Sequence, residues 1–340
     1  MTANAHSQPW ITDADQAAVA TALAGGMIAQ GETAARFETE MSRWLGAAGG
    51  VATASGGAAL VLALRTLGVG AGDEVVLPTY VCRTVLDAIV SVGANPVLCD
   101  AGPDWVVRAG EISPRLTPRT RAVIVPHLYG LFADVAAIRA LGVPVIEDAA
   151  QALGDASAHR VQGDLVALSF HPTKCLTTGE GGMLLSRDSA AVGRARELRD
   201  AHGARLSDLS AALGLSQLAR YPEFLRRRAA LAAGWHAALR DLPGLDLGWH
   251  GRLRSMFFRF PLHRAGGLDA CQAVFAQRGV HVRRGVDLLL HRALGLDDAQ
   301  FPQATAHFHT TVSLPLYPAL TDARHQACVE AALAVFAPHA

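Results

Sequence analysis

A chain of 340 residues, 51% of them hydrophobic, is long enough for one large domain and a smaller one. Its formal net charge of +0 argues against an electrostatic nucleic-acid binder and a polybasic membrane surface. Five scattered cysteines (Cys82, Cys99, Cys175, Cys271 and Cys328) show no C-x-x-C spacing. That pattern predicts reduced thiols in a cytoplasmic protein, with no disulfide frame and no metal site.

The first sixteen residues lack a basic region followed by an apolar one, so no signal peptide is expected. The longest uncharged stretch near the start, residues 45–64, is rich in glycine and alanine. It reads as a loop between two elements and not as a membrane span. Short apolar runs at 73–77, 96–99, 121–125 and 143–146 read as buried strands. Helix-like patterns at 58–67, 81–92 and 135–141 lie beside them. Two further strands are expected at 165–170 and 182–185, then a helix over 186–201. Strands alternating with helices predict an α/β fold whose central sheet is mostly parallel and covered on both faces. From about Leu206 the chain becomes helical, interrupted by Pro222. Beyond it, strands at 255–262 and 280–282 and helices at 269–277 and 322–336 predict a smaller α+β domain. The expected division is residues 1–225, including an N-terminal helical segment, and residues 226–340.

Arginine supplies all but one of the 30 basic side chains; the single lysine is Lys174. Arginine cannot lose its proton and attack a carbonyl carbon, whereas lysine can. Lys174 lies in SFHPTKCLTTGEGG (169–182), on a predicted loop at a strand end, where ligands of α/β sheets usually sit. Upstream, VIEDAAQALG (145–154) places Asp148 at another strand end. A carboxylate there would keep the ring nitrogen of pyridoxal phosphate (PLP) protonated, and Gln151 would reach the ring's phenolic oxygen. The alternative for Asp148 is a helix cap. TASGGAALVLAL (53–64) puts Ser55, Gly56 and Gly57 before an apolar helix, a geometry that binds phosphate, and Ser169 offers a second hydroxyl. Tyr80, in LPTYVCRTV (77–85), offers an aromatic face to the ring or else anchors a core edge. His307 and His309 fit a surface pair better than a metal site, since i and i+2 do not share a helix face.

Phosphate loop, aromatic, acid and lysine follow in this order, and the chain resembles the DegT/StrS-type sugar aminotransferases, PLP enzymes of fold type I. GETAARFE, SGGAALVLAL, GDEVVLPTY, HLYG, EDAAQALG, SFHPTK, RLSDLSAALGLSQL and SLPLYPALT carry the resemblance along nearly the whole chain. It implies that Lys174 forms an imine with the cofactor, Asp148 holds the ring nitrogen and Gln151 the phenolic oxygen. It further implies phosphate contacts from Ser169, Gly56 and Gly57, with Tyr80 stacked on the ring. His291 stands where members often have a substrate-side histidine. A homodimer is implied, with Arg205 reaching the partner. The expected substrates are an amino donor, glutamate first, and a keto-sugar, nucleotide-linked, or a cyclitol. Several positions depart from the family pattern. Gly57 replaces a threonine, Cys175 replaces an asparagine, HGA (202–204) lacks an asparagine, and the segment 155–164 is short. Two alternatives stay open: a PLP-dependent dehydratase or lyase on the same scaffold, and a non-catalytic regulatory homologue.

Overall fold

The computed structural model describes residues 4–154, 161–251 and 253–337. Seven strands form the central sheet: β1 (Gly49–Thr53), β2 (Glu74–Pro78), β3 (Asn95–Cys99), β4 (Thr120–Pro126), β5 (Val145–Asp148), β6 (Leu165–Ser169) and β7 (Gly182–Ser186). Their order is β1-β7-β6-β5-β4-β2-β3. Only β7 runs against its neighbours, so six strands point the same way. Residues of β2 and β7 are buried along their whole length, as expected of strands covered on both faces. The shared direction brings the ends of β1, β2, β4, β5 and β6 to one edge.

The segment 45–64, expected as a loop, instead contains β1 and the start of the helix Gly56–Thr66. Glycine hid the strand from sequence reasoning because it is used here for close packing. A Cβ on Gly50 would stand 3.0 Å from Leu185, Met183 and Ser42. The helix Glu32–Leu45 is fastened to this strand by Glu38, which accepts from Ala52 N (2.8 Å) and from Arg199 (2.6 Å). Its first turn is capped from a distance: Asp208 accepts from the backbone N–H groups of Gly31, Thr33 and Ala34. Two motifs distant in sequence, GETAARFE and RLSDLSAALGLSQL, thus meet through one carboxylate.

The C-terminal part carries a second, antiparallel sheet of β8 (Leu245–Asp246), β9 (Phe260–Arg264) and β10 (Thr311–Leu314). The strand expected at 255–262 begins only at Phe260, because Phe257 adopts φ +55° and breaks the extended run. Residues 280–282 form single bridges and no strand: Val280 pairs with Asn4, and Arg283 beyond them with Ser313. The helix expected from 269 starts at Gln272. The division expected near residue 225 falls inside the continuous helix Tyr221–Leu239, with Pro222 in its first turn. No helix among the described residues is long and apolar enough to cross a membrane.

Candidate active site

The strand ends surround a cavity of about 400 Å³. One corner is the start of the helix Gly56–Thr66. Ser55 is its N-cap, extended at φ −162°, and its Oγ accepts from Ala58 N at 3.1 Å. The N–H groups of Gly56 and Gly57 precede the first helical bond and are left to a ligand. Ser169, at the end of β6, packs directly on this corner. A Cβ on Gly56 would lie 2.6 Å from Ser169 Cβ, so only glycine lets the two approach. Ser55, Gly56, Gly57 and Ser169 all line the cavity.

Asp148, at the end of β5, also lines the cavity. The period of two along β5 turns Glu147 to the other face of the sheet. Asp148 Oδ1 accepts from Ala150 N at 3.1 Å. Burial raises the Asp148 pKa above the usual carboxylate range. The Ala150 N–H opposes this most, then the charges of Lys174 and His127. A carboxylate held this way gains from a cation placed against it. Glu147, fully buried, accepts from His127 Nε2 at 2.8 Å and from the backbone N–H of Gln162 and Gly163. Because His127 Nδ1 accepts from Ala133 N (3.1 Å), the ring proton is assigned to Nε2.

Lys174 lines the same cavity, half-buried, on the turn that follows β6. The turn is shaped by Lys174 N donating to His171 O (2.8 Å) and by the His171 Nδ1 contact with Thr173 Oγ1 (2.8 Å). Gln151 also faces the cavity, and its Oε1 accepts from Tyr129 N at 2.9 Å. An amine, an acid and a phosphate corner thus share one space. This donor set fits PLP: anion donors, a carboxylate in want of a cation and an amine line one cavity.

Three expected residues lie elsewhere. Tyr80 is fully buried behind the cavity wall, its hydroxyl 3.1 Å from that of Tyr129 and its ring edge-on to His307. Val81 and Cys82 line the wall in its place, so the expected aromatic stacking is not what this strand end offers. His291 is buried with both ring nitrogens engaged, Nδ1 with Thr79 Oγ1 (2.8 Å) and Nε2 with Asp298 (2.9 Å). It lies outside the cavity lining, and its bonds assign it to the structure and not to a substrate. Arg205 is exposed beside the phosphate corner: Ala204 O accepts from Ala54 N, and the guanidinium meets Asp200 at 3.4 Å. His307 is buried and bonds Gly102 O, whereas His309 is exposed, so they are not a surface pair. Sequence reasoning passed over His127, Glu147 and Cys82. The strand alternation in VIED was the available signal for Glu147. HLYG, among the motifs of the resemblance, already held His127, and nothing local marked Cys82. Of the segment 155–164, residues 155–160 lie outside the described residues.

Residues 9–333 match the model of the DegT/DnrJ/EryC1/StrS aminotransferase family. The spore coat polysaccharide biosynthesis protein SpsC of Bacillus subtilis (strain 168) is 30% identical over 362 residues, covering 93% of each chain. The aminotransferase TlmJ of Streptoalloteichus hindustanus is 31% identical with a TM-score of 0.90, covering 97% of this chain and 98% of that one. Spr1654 of Streptococcus pneumoniae, solved in a PLP form, shares the fold at 24% identity, with a TM-score of 0.88 over 96% and 97% of the two chains.

Proposed function

We propose that this chain, which belongs to the DegT/DnrJ/EryC1/StrS aminotransferase family, moves an amino group from an amino acid, glutamate first, to a keto-sugar, nucleotide-linked, or a cyclitol. The observation that carries the reading is that Lys174 and Asp148 line one cavity whose third wall is a phosphate-binding helix start. The polysaccharide pathway of its relative SpsC supports a sugar acceptor.

PLP, when bound, supplies an aldehyde for the amine and a cationic ring that withdraws electrons from the reacting carbon. The protein's part follows from its residues. Backbone N–H groups of Gly56 and Gly57, with the hydroxyls of Ser55 and Ser169, bind the phosphate. Asp148 keeps a proton on the ring nitrogen, and Gln151 orients the phenolic oxygen. Val81 and Cys82 cover a ring face. Lys174 Nζ would be the amine that joins the cofactor's aldehyde and, when free, the base that moves a proton from the donor's α-carbon. Arg205, exposed beside the phosphate corner, reaches the partner subunit of a homodimer.

The test is direct. Glutamate added to the yellow protein bleaches it and releases 2-oxoglutarate, and a keto-sugar restores the colour. Borohydride reduction followed by digestion and mass spectrometry places the label on Lys174. Failure of every amino donor to bleach the protein defeats the reading. Release of a deaminated sugar without a colour cycle would favour a lyase instead.

A further inference from the structure

Among the described residues, three that carry a side chain sit on left-handed backbone: Trp105 (φ +64°), Tyr129 (φ +59°) and Phe257 (φ +55°). They meet at one turn. The Trp105 ring packs edge-on against the Tyr129 ring, with centroids 5.3 Å apart. Phe257 belongs to the segment that pairs with the residues after Tyr129: Met256 N donates to Gly130 O (3.0 Å), and Phe132 N donates to Arg254 O (3.0 Å). This conformation is unfavourable for a residue with a Cβ, so three of them around one turn mark a geometry that the surrounding fold imposes.

Tyr129 is held on two sides. Its ring is buried, with the hydroxyl 3.1 Å from that of Tyr80. Its carbonyl accepts from Arg259 N at 3.4 Å. With ring and carbonyl fixed, φ decides where the N–H points, and at +59° it meets Gln151 Oε1 at 2.9 Å. An N–H can bond the oxygen of an amide and not its NH2 group. The Gln151 amide therefore has one orientation, with its oxygen spent on Tyr129 and Nε2 left free. Among the described residues Nε2 has no acceptor, and Gln151 lines the cavity together with Lys174 and Asp148.

We infer that Tyr129 is a positioning residue: its left-handed backbone turns the Gln151 amide so that the cofactor's phenolic oxygen meets an N–H donor and not a second oxygen. The inference rests on the proposed PLP chemistry and adds to it the residue that sets the amide. A donor at that oxygen favours its ionised form, whereas an amide oxygen there would favour the protonated one. Tyr129 acts through Gln151 in this role, and the group that does the work is its main chain. The strain at φ +59° is then the condition for a fixed amide, because an ordinary negative φ would swing the N–H away from Oε1.

The experiment compares Tyr129→Gly with Tyr129→Val in PLP-loaded protein. Both lose the buried ring, so urea midpoints should fall in both. Glycine adopts a positive φ freely, whereas a β-branched residue does not. The readout is the pH midpoint of the bound cofactor's colour change. Without the donor the phenolic oxygen keeps a proton more readily. The midpoint should therefore rise by about one unit, tenfold in proton affinity, in Gln151→Ala and in Tyr129→Val. Tyr129→Gly should keep the wild-type midpoint despite its lower stability. Adding Tyr129→Val to Gln151→Ala should shift the midpoint no further. Equal shifts in the glycine and valine variants would assign the effect to the lost ring and overturn the inference. An unshifted midpoint in Tyr129→Val or Gln151→Ala, or a further shift in the double variant, would overturn it too. If Tyr129→Val does not fold, Tyr129→Ala carries the same comparison, since alanine is also strained at positive φ. Wild-type protein that shows the titration yet transfers no amino group defeats the proposed transamination and leaves this inference standing.

Discussion

His127 donates its Nε2 proton to Glu147 at 2.8 Å, and neither side chain has any exposure to solvent. The pair ties the end of β4 to β5, next to Asp148. Glu147 also closes the chain at Gln162 and Gly163 by accepting both backbone N–H groups. Glu147→Ala would remove the carboxylate that accepts from His127 Nε2 and from the backbone N–H groups of Gln162 and Gly163, at about 1–3 kcal/mol for each such bond before relaxation. A loss of about 3 kcal/mol or more in urea unfolding is expected, with weaker cofactor retention because Asp148 loses its neighbouring brace.

Asp148→Asn keeps the shape of the site and removes its negative charge. The ring nitrogen then loses a charge-assisted bond of about 1.5–3 kcal/mol. Affinity for PLP should fall roughly 10- to 100-fold, and bleaching by glutamate should slow by more than that. Equilibrium dialysis and stopped-flow absorbance would measure the two effects separately.

The adjacent glycines of the phosphate corner should respond differently. A Cβ at position 56 would meet Ser169 Cβ at 2.6 Å and Oγ at 2.9 Å, so Gly56→Ala must push Ser169 from the corner. PLP affinity should drop at least 10-fold. At position 57 the nearest atoms are Thr84 Cγ2 (3.1 Å) and Ser55 Oγ (3.7 Å), where a small shift suffices. Gly57→Ser should fold normally and bind PLP as tightly or more so, since it adds a hydroxyl.

Cys82 is the exposed cysteine, whereas Cys99, Cys175, Cys271 and Cys328 are buried. A thiol reagent should therefore titrate one group in the native protein and five after unfolding. Because Cys82 lines the cavity, saturation with PLP should slow its modification. Equal rates with and without PLP would place the cofactor elsewhere.

Acid should weaken the fold through buried imidazoles. Burial, then the neighbouring His307, pulls the His263 pKa down to about 4, and burial also lowers His307 and His6. In the unfolded chain these groups titrate near 6.5. As pH falls, the unfolded state takes up protons first, so their contribution is complete above about pH 6.5 and is lost as pH falls through the folded values. Urea midpoints should be level from pH 8 to 7 and decline from 6.5 towards 4. His263→Gln should flatten that slope by about 1–2 kcal/mol across the window, after allowance for partial exposure.

The amino-acid order alone determined most of the sheet and the chemical parts of the site. Short apolar runs made β2 to β7 visible without coordinates, and β2 and β7 are buried along their whole length. A lone lysine and an acid at a strand end announced their chemistry by residue type. Tertiary structure decided everything that depends on what packs against what. The glycine-rich β1 stays invisible until Gly50 meets Leu185 and Ser42. The fates of Tyr80 and His291 turned on partners 49 and 212 residues away, Tyr129 and Thr79, which hold both side chains in the core. Short-range order along the chain sets backbone preference and chemical potential, but burial and pairing are long-range, and they assigned each side chain to ligand or to core.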